Sequence, residues 1–212
     1  VRDVCAATGL LGESIDCVFP EHDFFVDFLT RYYTDLEPNS ALVLEDGGEV
    51  AGYLLGCTEL KRYHRYQKIL LCKIIPAVLT GFFKRGYSRP ARKFFWWLVW
   101  RGWREIPKTP AGGAHFHFNI LKLWRDAAST RRLVENFLEI IRLEHPEIKV
   151  VWGQMETFGA RRSRALFNRL GWEFYDQVKL NKYKYLFGPS APPHLIRIIK
   201  GGVFLSTIYC KL

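Results

Sequence analysis

The chemistry-bearing residues of this chain gather first in one short run. His115, His117 and Asn119 alternate with Phe116, Phe118 and Ile120. A strand's side-chain period of two puts the three polar groups on one face and the three apolar ones on the other. Two histidines at i and i+2 can form a ligand pair, but no third ligand lies nearby in sequence, so no metal is expected. One of them, His117, suits a base or a substrate contact. Cys57 has no evident His or Asp partner and reads as a small core hydrophobe.

A second distinctive stretch runs from Lys61 to Lys108. It holds thirteen Lys/Arg against one acid, Glu105, while the other residues carry 18 bases and 20 acids, so all of the chain's +10 surplus lies here. The same stretch has eleven of the 33 aromatics, with Trp96, Trp97, Trp100 and Trp103 among them. Its longest uncharged run, Ile74 to Phe83, is ten residues, about half of what a spanning helix needs. Two readings remain open. Either Trp96, Trp97 and Trp100 bury their rings at headgroup depth while the bases meet anionic lipid, or the stretch packs its rings on the protein and solvates its charges. Nucleic acid is the less favoured partner, since no recognised motif supports it.

Those groups need a scaffold, and 212 residues give room for one mixed domain, or one domain with a large insertion. With 49% hydrophobic and 25% charged residues, wholesale disorder and heptad rods are excluded. Five widely spaced cysteines without a CxxC pair fit a reducing compartment, hence a cytoplasmic protein that sits peripherally at the inner membrane face if the basic stretch docks. No signal peptide opens the chain, and since it begins at Val1, an upstream start is expected.

Hydrophobic spacing predicts helices over Asp3–Gly9 and Pro20–Tyr33, and Pro38 closes the second. Ala41–Glu45 and Glu49–Thr58 flank Asp46-Gly47-Gly48 and read as a β-hairpin. A strand at His115–Leu121, a helix at Ser129–Leu143, a buried strand at Lys149–Met155 and a basic helix at Arg161–Leu170 ended by Gly171 follow. Trp172–Leu186 reads as a pair of strands, and a proline-containing tail leads to a short apolar stretch. Strand–helix–strand order needs a parallel crossover, so the expected class is α/β, a mixed sheet flanked by helices.

That order, with Val4-Cys5-Ala6-Ala7-Thr8-Gly9, Val50-Ala51-Gly52-Tyr53-Leu54-Leu55-Gly56, Ala114–Leu121, Trp124-Arg125 and Ala165–Trp172, resembles the GNAT superfamily of acyl-CoA-dependent N-acyltransferases. The likeness is greatest to the bacterial branch related to the acetyltransferase-like domain of O-GlcNAc hydrolases. It implies a GNAT-like domain over residues 1–188, interrupted by a basic aromatic insertion at 61–110, and a C-terminal tail at 189–212. It also implies acetyl-CoA or another acyl-CoA as co-substrate, an amine acceptor and no metal.

The resemblance also implies site residues. The family holds the acyl-CoA pyrophosphate in a loop Gln/Arg-x-x-Gly-x-Gly/Ala, where backbone N–H groups at a helix start favour an anion. Here the loop reads Arg125-Asp126-Ala127-Ala128-Ser129-Thr130, followed by Arg131. Ala128 and Thr130 replace the small positions, and Asp126 adds a negative charge. Backbone donors near Ile120 and Leu121 would polarise the thioester carbonyl. Glu59 stands where family members often place a basic carboxylate. The family's acidic tyrosine position is Asn168, which has no suitable proton, so Tyr175 is the candidate replacement. Two functions follow: an N-acyltransferase, or a catalytically degenerate GNAT-like pseudoenzyme that binds or docks on a membrane.

Overall fold

The computed structural model describes residues 1–15, 22–84, 87–158, 167–168, 170–186 and 193–212. Most of the helix expected at Arg161–Leu170, and the prolines 189 and 192, lie outside the described residues. The chain forms two compact units: Val1–Thr80 with Gly112–Val151 and Lys211–Leu212, and Gly81–Ala111 with Trp152–Cys210. Among the described residues, six strands and their flanking helices make up the α/β fold expected from the sequence.

In the first unit, strand β1 (Ala41–Asp46) and strand β2 (Glu49–Cys57) form the hairpin. Gly47 and Gly48 both have positive φ, +59° and +86°, as a two-residue turn matched to strand twist requires. Strand β3 (Ala114–Ile120) pairs antiparallel with β2, Gly52 opposite Ile120 and Cys57 opposite His115. The alternation along β3 is as the sequence implies, and each face has its own cover.

Helix α5 (Ala127–Glu144) covers the apolar face. Its fully buried Phe137 meets Phe116 edge-on at 5.9 Å. Gly56 makes this approach possible, since a Cβ there would stand 2.1 Å from the Phe137 ring. Helices α1 (Arg2–Thr8) and α2 (His22–Leu36) cover the polar face, where Tyr33 reaches His115 at 2.8 Å. The start of α3 (Leu60–Lys84) joins them. Its Tyr63 ring packs 4.6 Å from His115, and Gln67 donates to the Phe28 carbonyl at 3.0 Å. This part of the basic stretch is therefore packed. Among the described residues no helix is long and apolar enough to cross a membrane.

In the second unit, β4 (Val150–Phe158, mostly in this unit), β6 (Val203–Lys211) and β5 (Glu173–Leu180) lie in that order, with β5 and β6 antiparallel. Gly171, at φ +79°, precedes β5; its N–H donates to Asn168 O and that of Trp172 to Phe167 O, the paired bonds of a left-handed helix stop.

Two expectations are corrected here. Lys182–Leu186 is a helix, α6, not a strand. The alternation of Lys182-Tyr183-Lys184-Tyr185 imitates a strand, but Tyr183 and Leu186, three apart, are the buried residues. The C-terminal stretch is a nine-residue strand, preceded by helix α7 (Pro193–Gly201). Its buried Ser206 and Thr207 disguised it. Ser206 Oγ meets Thr157 Oγ1 at 2.9 Å and accepts from Gln177 at 2.8 Å, while Thr207 accepts from Gln154 at 3.3 Å.

Helix α4 (Arg89–Trp100) starts at Ser88, whose Oγ accepts the Ala91 N–H at 3.3 Å, and packs against α6. Ala91 and Trp97 are buried and Phe94 stacks on Trp97 at 5.4 Å. Trp97 is thus part of the packing, which for this ring favours the packed reading over insertion beside Trp96 and Trp100. In the following 3₁₀ turn (Gly102–Glu105), Glu105 is buried and accepts from the Asn181 N–H at 2.7 Å and its side-chain amide at 3.2 Å.

Gly56→Ala is expected to cost about 1–3 kcal/mol by overpacking against Phe137, read as a lower urea midpoint. Adding Phe137→Leu should return part of that loss; a Gly56→Ala protein of unchanged midpoint would show that α5 does not rest on this strand.

Candidate functional site

The turn joining β3 to α5 contains most of the residues the sequence singled out. The Leu121 N–H donates to the Ala51 carbonyl at 2.8 Å, so it is spent on the sheet and does not serve as the expected thioester donor. By the alternation of an antiparallel ladder, the N–H and C=O of Ile120 then point to the edge away from β2. The Ile120 carbonyl accepts two bonds from Arg125, from Nε at 3.2 Å and Nη2 at 2.9 Å. The guanidinium lies on Gly12, where an added Cβ would stand 2.5 Å from Nη1 at φ +85°. Arg125 therefore braces the turn. Trp124 adds a second brace, its indole N–H donating to Asp46 of the hairpin turn at 2.7 Å.

Helix α5 begins at Ala127, two residues before the expected start, because Asp126 is its cap. The Ser129 N–H donates to Asp126 Oδ1 at 2.8 Å and the Ser129 hydroxyl to Oδ2 at 2.7 Å. These bonds hold the Asp126 carboxyl below its ordinary range. Thr130 turns its hydroxyl back onto the Asp126 carbonyl at 2.9 Å. The N-terminal donors that would face an anion thus face an internal one, and neither hydroxyl is aimed outward. Ala127 and Ala128 are exposed, and Arg131 pairs with Glu135 at 2.7 Å on the outer surface.

The polar face of β3 holds a second cluster. Tyr53, fully buried opposite Asn119, accepts from the Asn119 amide at 2.9 Å and bonds His117 Nε2 at 3.0 Å. His115 makes the matching bond to Tyr33. Burial pushes His117 down to about 4 and His115 to about 3, so both rings are neutral at pH 7. Burial pushes the Cys57 thiol up, which leaves it an unreactive core residue.

Glu59 stands apart from both clusters, exposed and 3.5 Å from Arg62. The buried carboxylate beside it is Glu37, which takes the Thr58 N–H at 2.7 Å, the Thr58 hydroxyl at 2.9 Å and the Tyr32 hydroxyl. With those donors filled, Glu37 ties the end of α2 to the end of β2. Tyr175 belongs to the second unit, half exposed and edge-on to Tyr209 at 5.8 Å. It lines a depression of about 520 Å³ together with Asn168, Glu173, Phe174, Asp176 and Gln177. Tyr53, Glu37 and the capping role of Asp126 escaped the sequence reading. Only the last had a local signal, an Asp three residues before Ser129 at a helix start.

No family model matches the chain, and no curated protein matches it. Among solved structures, SsHAT aligns over 100% of this chain and 91% of its own, with a TM-score of 0.60 and 22% identity. The Drosophila melanogaster polyamine N-acetyltransferase, which forms N-acetylagmatine, aligns over 100% and 93% with a TM-score of 0.48 and 14% identity. The yncA protein of Salmonella typhimurium, solved with its cofactor acetyl-CoA, aligns over 100% and 86% with a TM-score of 0.48 and 11% identity. The fold is that of the GNAT acyltransferases.

The two desolvated histidines, His115 buried and His117 half-buried, give stability a pH dependence. The unfolded chain binds a proton on each below about pH 6.5, whereas the folded chain resists until about 4 for His117 and about 3 for His115. Their contribution is complete above the unfolded value and is lost as pH falls towards the folded ones. Between pH 7 and 5 the share of His117 should be roughly 1–2 kcal/mol. Urea unfolding of His117→Gln should show a shallower fall over that interval, and a slope equal to that of the unaltered chain would mean that His117 titrates normally.

Proposed function

We propose that the chain is an acyl-CoA-dependent N-acyltransferase of GNAT type that passes an acetyl or longer acyl group to an amine acceptor. The observation that carries this reading is the short turn from the end of β3 to the start of α5. It brings the Ile120 peptide, turned to the side of β3 away from β2, close in sequence to a helix N-terminus of backbone donors. Such a pairing suits a substrate that carries a polarisable carbonyl at one point and a diphosphate at another. The motif order from Val4 to Trp172 supports placing the chain in the branch resembling the acetyltransferase-like domain of O-GlcNAc hydrolases.

In this scheme Ala127, Ala128 and Ser129 offer backbone N–H groups to the diphosphate, the Thr130 N–H being bonded to the Asp126 carbonyl, and Arg131 adds positive charge. Arg125 keeps the turn in shape through the Ile120 carbonyl. The acceptor nitrogen attacks the thioester carbon while the Ile120 N–H stabilises the developing oxyanion. His117 takes the amine proton, oriented by Tyr53 and Asn119. Glu59 is the less suited base: at 3.3 Å per residue it lies about 23 Å along the strand direction from Ile120, against about 10 Å for His117. When the C–S bond breaks, the leaving thiolate takes its proton from water.

Asp126 favours a second reading, a GNAT-like binding module without acyl transfer. Its carboxylate holds the helix start that a diphosphate would need, so CoA must first displace it from Ser129.

Calorimetric titration with acetyl-CoA and with a long-chain acyl-CoA separates the two. The acyltransferase reading expects binding to the unaltered chain, several-fold tighter in Asp126→Asn, which removes the competing charge, and several-fold weaker in Arg131→Glu. Silence of the unaltered chain with both ligands, with heat appearing only in Asp126→Asn, would establish the binding-module reading instead. Turnover should fall by about 10²-fold or more in His117→Gln and remain in Glu59→Gln; the reverse pattern would return the base to Glu59.

A further inference from the structure

Helix α4 carries two apolar faces, and among the described residues one is buried and the other exposed. Ala91, Phe94 and Trp97 form the packed face. On the opposite side, at helical spacing, lie Trp96, Val99 and Trp100, followed by Trp103 in the next turn and by Ile106. Trp100 is 67% exposed and Trp103 64%, unusual values for the most hydrophobic large rings, whereas Trp97 is 9% exposed. At 100° per residue, Arg89, Arg92 and Lys93 fall on the same outward arc as Trp96, Val99 and Trp100. Arg101, Arg104 and Lys108 extend the positive charge, and Arg104 lies over the Trp103 ring at 4.7 Å. All six bases are exposed, while the one acid of the stretch, Glu105, is turned inward onto Asn181.

We infer that this outward face of α4 and the turn after it docks on an anionic membrane surface, with Trp96, Trp100 and Trp103 seated among the headgroups and Val99 and Ile106 towards the acyl chains. The charge arrangement selects the occupant. The stretch itself shows six exposed bases and no exposed acid, with Asp176 of β5 reaching only its Lys108 end; this surplus complements anionic lipid, and the same charges repel a second copy of this face. Aliphatic side chains between the rings gain from hydrocarbon and have nothing to stack on in a nucleic acid, whose single strands are held by aromatic stacking. The inference does not depend on acyl transfer, since it uses no residue of the β3–α5 turn.

The test is flotation of the full chain with vesicles of phosphatidylcholine alone and of phosphatidylcholine mixed with phosphatidylglycerol. Binding is expected to the mixed vesicles, and weaker by tenfold or more to the neutral ones. Each basic residue near the surface contributes about a fivefold factor, so Arg92→Glu/Lys93→Glu should weaken binding by about 25-fold or more. Added salt should remove most of this part and leave a residue carried by the rings. Trp100→Ala/Trp103→Ala alters only exposed side chains, so it should keep the far-UV spectrum and urea midpoint. It should lose the residual binding at high salt and most of the fluorescence quenching by brominated phosphatidylcholine in mixed vesicles. Equal binding to both vesicle types, or unchanged partition of the folded Trp100→Ala/Trp103→Ala protein, would overturn the inference. So would capture by duplex or single-stranded nucleic acid that displaces the chain from mixed vesicles, or sedimentation as a dimer that the tryptophan substitutions dissolve.

Discussion

The pairing of β2 with β3 is the constraint on which the first unit depends. Because Gly52 faces Ile120 and Cys57 faces His115, Tyr53 stands opposite Asn119 and one step from His117. The same register puts Gly56 under Phe137, so that α5 can seat directly on the sheet. It also commits the Leu121 N–H to Ala51 and turns Ile120 to the other edge. A slip of one residue would exchange the two faces of β3, bringing imidazoles under α5 and phenyl rings against Tyr33. One ladder therefore fixes the core, the two histidines and the orientation of the Ile120 peptide at the start of the turn.

The turn after β3 is braced at both ends by side chains that a ligand would also find useful. Arg125 is turned onto a backbone carbonyl, and Asp126 answers the positive end of α5. A helix start satisfied by its own chain is stable without a ligand. The cost falls on affinity, because an incoming anion must displace a carboxylate already hydrogen-bonded there. Arg131, outside the capped turn, is the base in this region bound only to a surface partner, and such pairs are weak enough to exchange.

The basic aromatic stretch divides its residues between packing and surface more finely than its composition suggests. Tyr63 packs on His115 and Gln67 is buried in the first unit, while Ala91 and Trp97 are buried in the second. What is left outside is the charge together with rings at one helical spacing. Burying Glu105 is possible because Asn181 offers it two donors, and this removes the one negative charge the stretch would otherwise display.

Local pattern carried much of this in the sequence. The Asp46-Gly47-Gly48 turn, the alternation from His115 to Ile120 and the Gly171 stop each depend on residues within a few positions, and each has its expected form. The strand Val203–Lys211 and the helix Lys182–Leu186 did not, because burial there is decided by partners far along the chain: Thr157 and Gln177 for Ser206, and α4 for the face of α6. The same holds for the site. Residue types placed His117 and the Arg125–Arg131 loop as candidates, since chemistry follows side-chain identity. Only the tertiary structure joined Tyr53 to His117, spent the Leu121 N–H on the sheet and separated Trp97 from Trp96 and Trp100. Register and helix facing are relations between segments, and a segment read alone does not contain its partner.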